Sequence, residues 1–176
     1  MKLLKELIHP ELATREGRIL RRHAARGIVL REEKILLLFT ERYNDFSLPG
    51  GGIDDGEDIT VALARELEEE TGARDVQVKH HYGFIEEYRP HWKPEYDLMH
   101  MTSHFFVCDV APELAEVRME DYEVANGMRP IWLSVSEAAK HNRQVMARQE
   151  KSMGQSIQRE TFMLEKISRE LVLQPS

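Results

Sequence analysis

The sequence predicts an α/β (α+β) fold, a mixed β-sheet sandwiched between helices and followed by a C-terminal helical tail. Three observations point there. Strand-like apolar runs come first, one Ala/Leu/Glu-rich helix sits in the middle, and helix-periodic segments come last. The 176 residues suggest a single domain, 1–176, with a core from about 18 to 140 and a helical extension over about 136–172.

Taken in order, Ala24 to Leu30 and Lys34 to Thr40 are apolar runs around Arg31-Glu32-Glu33, which reads as a hairpin. Pro49-Gly50-Gly51-Gly52 cannot continue a strand and must turn. Asp58 to Thr71 reads as a helix, with Gly72 as its stop. Val76 to Tyr88 and Met99 to Val110 are strand-like, and Met128 to Leu133 is a further short strand. The tail opens at Ser134-Val135-Ser136-Glu137, with Ser134 or Ser136 as cap. A last helix runs from about Ser156 to Leu171, its apolar face made by Ile157, Met163, Leu164, Ile167 and Leu171.

Composition narrows the function. Hydrophobic residues make up 41% and charged residues 31%, and the formal net charge is −7. That balance argues against a nucleic-acid polymer as partner, because such proteins display a basic face. It leaves small phosphorylated ligands open, since a divalent metal neutralises them locally. No apolar run approaches the roughly 18 residues that would span a bilayer. Charge in Met1-Lys2-Leu3-Leu4-Lys5-Glu6 falls where a signal peptide needs apolar residues, so a cytoplasmic location without membrane attachment is expected. Cys108 lies in the apolar run Phe105-Phe106-Val107-Cys108 and reads as core.

The informative stretch is Gly51 to Ala73, a glycine-rich turn leading straight into a helix. Free N–H groups at such a helix start suit phosphate oxygens. Glu66, Glu69 and Glu70 follow at spacings that put three carboxylates on one side. A plain solvated acidic face would place them opposite the apolar stripe. Counting about 100° per residue from Ile59, Leu63 falls at about 40° and Leu67 at about 80°. Glu66 falls at about 340° and Glu70 at about 20°, inside that stripe, with Glu69 on its flank at about 280°. Unpaired like charges there are costly. A divalent cation with oxygen ligands removes the cost, and structural ion pairs are the competing explanation.

Gly51, Glu57, Arg65, Glu66, Leu67, Glu69, Glu70 and Gly72 also stand at every position but the last of the pattern G-x5-E-x7-R-E-U-x-E-E-x-G-U, where U is aliphatic. The stretch resembles the Nudix box, with Ala73 smaller than the usual last residue. Its seven fixed residues match by chance on the order of 10⁻⁹ per start position, so the motif is specific. The order of strands around it is similar too, over roughly Ala24 to Leu133.

The resemblance implies a Nudix-type fold and magnesium-dependent hydrolysis of the diphosphate linkage in a nucleoside diphosphate–X substrate. Manganese would substitute for magnesium. By position, Glu66, Glu69, Glu70 and the Gly50 carbonyl would hold metal. Arg65 would pair with Glu57 to fix helix and loop. Gly51 and Gly52 would let the backbone approach phosphate. The general base varies in the superfamily, so Glu69 or a later acid among Glu120, Asp121 and Glu123 would serve, Glu123 being the first choice. The bland reading makes those three plain surface acids.

Weaker signals remain. Tyr88, Arg89 and Trp92, in a loop running to Pro94, either bind the substrate or form a rigid hairpin tip or dimer contact. In the ADP-ribose pyrophosphatase branch a proline tends to lie about sixteen residues past the box, and Pro90 lies seventeen past Ala73 (90 − 73). His80, His81, His100 and His104 read as strand residues, because His100 and His104 stand roughly 13 Å apart on an extended chain. Asn142 and Arg143 read as exposed helix residues, with contact to a base edge as the sharper alternative. MutT-like sanitation of oxidised nucleoside triphosphates, ADP-ribose or nucleotide-sugar cleavage, and a non-catalytic sensor module are the competing functions. The isoprenoid-diphosphate isomerase class would need a pocket cysteine, which Cys108 is poorly placed to be. The tail covers the sheet or makes a homodimer, and both stay open.

Overall fold

The run Lys34–Thr40 is apolar at successive positions because both of its faces are covered. In the computed structural model it forms β4, with Ile35, Leu36, Leu37 and Leu38 all buried. The structure describes residues 1–172. Residues 173–176, the end of the expected domain, lie outside the described residues.

Two sheets carry the fold. Strands β1 (Leu3–Ile8), β2 (Ile19–Ile28), β6 (Gly50–Ile53), β7 (Gln77–Arg89) and β8 (Leu98–Asp109) form a mixed five-stranded sheet in the order β1-β7-β8-β2-β6. Strands β3 (Leu30–Arg31), β4, β5 (Asp45–Ser47) and β9 (Met128–Ser134) form a second sheet, in which β9 pairs antiparallel with β4. Helix α1 (Ile59–Thr71) packs on one face. Its Leu63 and Leu67 join Ala25, Leu36, Phe106 and Cys108 in one apolar cluster. Helices α3 (Val135–Ala147) and α4 (Ile157–Ile167) cover the other face, joining Ile28, Ile35, Leu37, Ile85 and Phe105 in a second. The tail therefore covers the sheets. No helix of the described residues is long and apolar enough to cross a membrane.

Several elements differ from the sequence reading. The expected hairpin between Ala24–Leu30 and Lys34–Thr40 reduces to Leu30–Arg31 turning onto Lys34–Ile35. Up to Ile28 the first run belongs to the other sheet, parallel to β8 and antiparallel to β6. One apolar run thus serves two sheets, and local pattern does not reveal the crossing. Strand β1 was not anticipated; it pairs parallel with β7. The acidic loop before β9 contains a short helix, α2 (Asp121–Ala125), closed by a capping box between Glu120 and Glu123. The last helix is α-helical only to Ile167, and Ser168–Val172 is a π-helical turn. Asn142 is fully buried, where exposure was expected. Its side chain accepts from the Phe46 N–H at 3.0 Å and donates to the Phe46 carbonyl at 2.9 Å.

His80, His81, His100 and His104 are strand residues, as read. His81 and His104 share a hydrogen bond at 3.0 Å, and His100 stacks on Tyr88. Cys108 is buried, and burial pushes its thiol up to about 12.

Candidate active site

Helix α1 is started by Asp58, whose carboxylate accepts from the backbone N–H groups of Thr60 and Val61. It is stopped by Gly72 in a left-handed conformation, φ 77°. A Cβ at Gly72 would collide with the Ala115 backbone. These two signals fix the helix phase, so the glutamates fall where the wheel puts them. Glu70 is 3% exposed, Glu66 is half-buried, and Leu63 and Leu67 are fully buried.

Strand β6 lies beside this helix. Gly50 has φ 144°, and a Cβ there would stand 2.0 Å from the Ala25 carbonyl, so only glycine fits. Its N–H donates to the Glu70 carboxylate at 3.0 Å. A Cβ at Gly51 would come within 3.1 Å of the Glu66 carboxylate. The glycines thus let a strand backbone lie directly against two carboxylates. Arg65 donates to Glu57 at 2.6 Å, and the other Glu57 oxygen accepts from the Asp54 N–H at 2.9 Å. That pair ties helix to loop and holds Glu57 below the usual carboxylate range.

Together these groups line a cavity of about 610 Å³. Its carboxylates are Asp45, Asp54, Glu66, Glu70, Glu120 and Glu123. Glu123 is 6% exposed, despite lying in a segment that also reads as plain surface. Burial first, then the charge and hydrogen bond of Glu123, push Glu70 up to about 9. Burial, then Glu69, raises Glu66. Burial and Glu160 raise Asp45 to about 6.

The other sequence candidates fall in different places. Glu69 is half-buried on the flank, 4.0 Å from the Arg65 guanidinium, and Asp121 is exposed. Gly52 lines the cavity with Gly50 and Gly51. Tyr88, Arg89 and Trp92 do not line it. Tyr88 and Arg89 line a separate cavity of about 420 Å³ bounded by Leu7, Met146 and Ile157, while Trp92 is 81% exposed. The physical reason is register. Gly50 lies across from Arg26, which pairs with Phe105, whereas Tyr88 pairs with His100. Five strand steps (105 − 100) put Tyr88 roughly 16 Å away along the sheet. Cavity residues that the sequence reading missed include Arg26, Tyr43, Asp45 and Ser156. A cation in an apolar strand, such as Arg26, was the one visible signal.

The donors suit a hard divalent cation. All are oxygens, and the Glu70–Glu123 contact carries more negative charge than the cavity tolerates without a proton or a cation. Among the described residues, no three His, Cys, Asp or Glu side chains already converge on one point. Glu70 and Glu123 meet, while Glu66 rests against Gly51 and Glu69 beside Arg65.

Known proteins agree with this architecture. The family model of the NUDIX domain matches residues 21–153. A solved structure described as a NUDIX hydrolase from Nitrosomonas europaea superposes with a TM-score of 0.54 at 17% identity, covering 88% of this chain and 97% of that one. One described as a MutT protein from Bacillus halodurans gives 0.51 at 21%, covering 68% and 72%. Among curated proteins, a CMP-5'-(N-acetyl-N-hydroxy-3-aminopropyl)phosphonate hydrolase from Streptomyces rubellomurinus is 41% identical over 73 residues, 38% of this chain. That match spans about a third of the relative's length, 35%. The chain belongs to the NUDIX family.

Proposed function

We propose that the protein hydrolyses the diphosphate linkage of a nucleoside diphosphate–X substrate, with magnesium, or manganese in its place, held in the carboxylate cavity. The observation that carries this reading is the buried Glu70–Glu123 pair facing a glycine strand, Gly50–Gly52, that leaves room for a phosphate. Glu66, Glu69, Glu70 and the Gly50 carbonyl are the proposed metal ligands. When bound, the metal polarises the phosphoryl oxygens and makes a water acidic enough to attack.

The protein's own groups do the rest. Gly51 and Gly52 let the strand backbone approach the substrate phosphates closely. The Arg65–Glu57 pair holds loop and helix at fixed spacing. Glu123 takes the proton of the attacking water as its oxygen bonds to phosphorus and the anhydride P–O bond breaks. Glu123 suits that role because it is buried and its backbone is fixed by the α2 capping box. Glu69 is the competing base.

The partial relative named as hydrolysing a CMP-linked phosphonate adds that substrate class to nucleoside triphosphates, ADP-ribose and nucleotide sugars. The test is turnover of a panel of these with magnesium, following phosphate, pyrophosphate and nucleoside monophosphate. Release of a monophosphate from at least one member supports the reading and selects the branch. No turnover on any member, with diphosphate and magnesium still bound, would favour a sensor module.

A further inference from the structure

Among the described residues, two cations line the carboxylate cavity, Arg26 and Arg65. Arg65 is held by Glu57 at 2.6 Å. Arg26 is different. It rises from β2 directly opposite Gly50. One of its terminal nitrogens reaches the Leu48 carbonyl at 3.4 Å, a long contact. Its Nε is buried with no hydrogen-bond partner, and the nearest carboxylate, Glu160, stands 3.8 Å away. A guanidinium offers five N–H donors, so most of this one's capacity is unused.

Behind Arg26 lies a fixed frame. Arg159 of α4 is 3% exposed and donates to Glu87 of β7 at 2.7 Å and to its neighbour Glu160 at 3.2 Å. Glu87 also pairs with Arg89 at 3.0 Å, and Arg89 donates to Gln155 at 2.7 Å. Glu160 is 1% exposed and shares one oxygen between Arg159 and Arg26. Its other oxygen is buried without a partner. Both terminal nitrogens of Arg159 are engaged by carboxylates, with only its Nε left over, whereas Arg26 has half a claim on one carboxylate. A half-buried cation with free donors, set across from metal-suited carboxylates, suits an anion with several oxygens.

We propose that Arg26 is a phosphate-binding residue of this site, and that Glu160 on α4 is the positioning residue that aims it. The proposal rests on the hydrolase reading above and adds α4 to the substrate site. The test uses the full chain, magnesium and methylenediphosphonate, a diphosphate that has no base and resists hydrolysis, with affinity read by calorimetry. Arg26→Gln should weaken binding roughly 10- to 100-fold. Arg26→Lys keeps the charge but loses the planar fork, and should still lose several-fold in affinity. Glu160→Gln should weaken binding in the wild-type background and add nothing in the Arg26→Gln background, which a merely structural role would not produce.

Folding is checked by thermal melting. If Arg26→Gln does not fold, Arg26→Lys carries the test. Binding within twofold of wild type in a folded Arg26 variant overturns the proposal while leaving the hydrolase reading intact. A wild-type chain that binds no methylenediphosphonate with magnesium overturns the hydrolase reading itself, and Arg26's role with it. Additive losses in the double variant overturn the part given to Glu160.

Discussion

Glu70 is a carboxyl that burial and Glu123 keep protonated through neutral pH, at about 9. Loading the site with a divalent cation must therefore expel a proton. Magnesium binding at pH 7 should release about one proton, read as a dependence of the calorimetric enthalpy on buffer ionisation heat. An enthalpy independent of buffer would mean that Glu70 is already ionised. Asp45 poses the opposite problem, because its buried carboxyl titrates at about 6 against 3.8 for a free one. The folded state holds that proton more tightly, so ionised Asp45 costs roughly 3 kcal/mol above pH 6. The cost is relieved as pH falls from 6 toward 3.8. Asp45→Asn should therefore melt higher than wild type at pH 7.5, and the gap should close by pH 4. A lower melting point at pH 7.5 would show that charge to be compensated by Arg159. Glu69→Gln tests the flank carboxylate: turnover should drop on the order of 10²-fold or more if it is a metal ligand or base. Near-normal turnover would leave Glu66, Glu70 and Glu123 as the working set.

At the scale of elements, the part of the site that lies on one helix was readable from spacing. Glu66, Glu70, Leu63 and Leu67 share a phase fixed by Asp58 and Gly72, and nothing distant is needed to set it. What was not readable depends on register between distant segments. Arg26 reaches the cavity because β2 pairs with β6, and Glu160 reaches Arg26 because α4 crosses the same sheet. Asn142 shows the same limit. Its neighbours in α3 suggest an exposed polar residue, yet it occupies the place of a strand partner for Phe46. Asn142→Ala would leave one buried N–H and one buried carbonyl without partners, at about 1–3 kcal/mol each. A loss of roughly 2–6 kcal/mol is expected in urea unfolding. A loss below about 1 kcal/mol would mean that water replaces the amide without strain.

Across the whole molecule, the alternation of strands and helices gave the layers, while the division into two sheets stayed hidden inside one apolar run, Ala24 to Leu30. The sequence leaves residues from 136 onward as a tail that either covers the sheet or pairs two copies, and their packing covers the sheet. Met163, Leu164 and Ile167 are buried in the same cluster as Ile28, Ile85 and Phe105, and Ile157 is buried as well. Burying four such side chains is worth roughly 6–12 kcal/mol, comparable to the whole stability of a typical domain. Removing α4 would also strip Arg159 from Glu87, leaving a buried carboxylate with only Arg89. Truncation after Ala147 should therefore abolish cooperative folding, with near-UV circular dichroism lost and no sharp melting transition. A truncated chain that still melts cooperatively would show that the sheets and α1 hold together without α4, and that the Arg159–Glu160 frame serves the site alone. If the chain instead collapses, α4 is at once the lid of the core and the support behind Arg26, and neither role can be altered without disturbing the other.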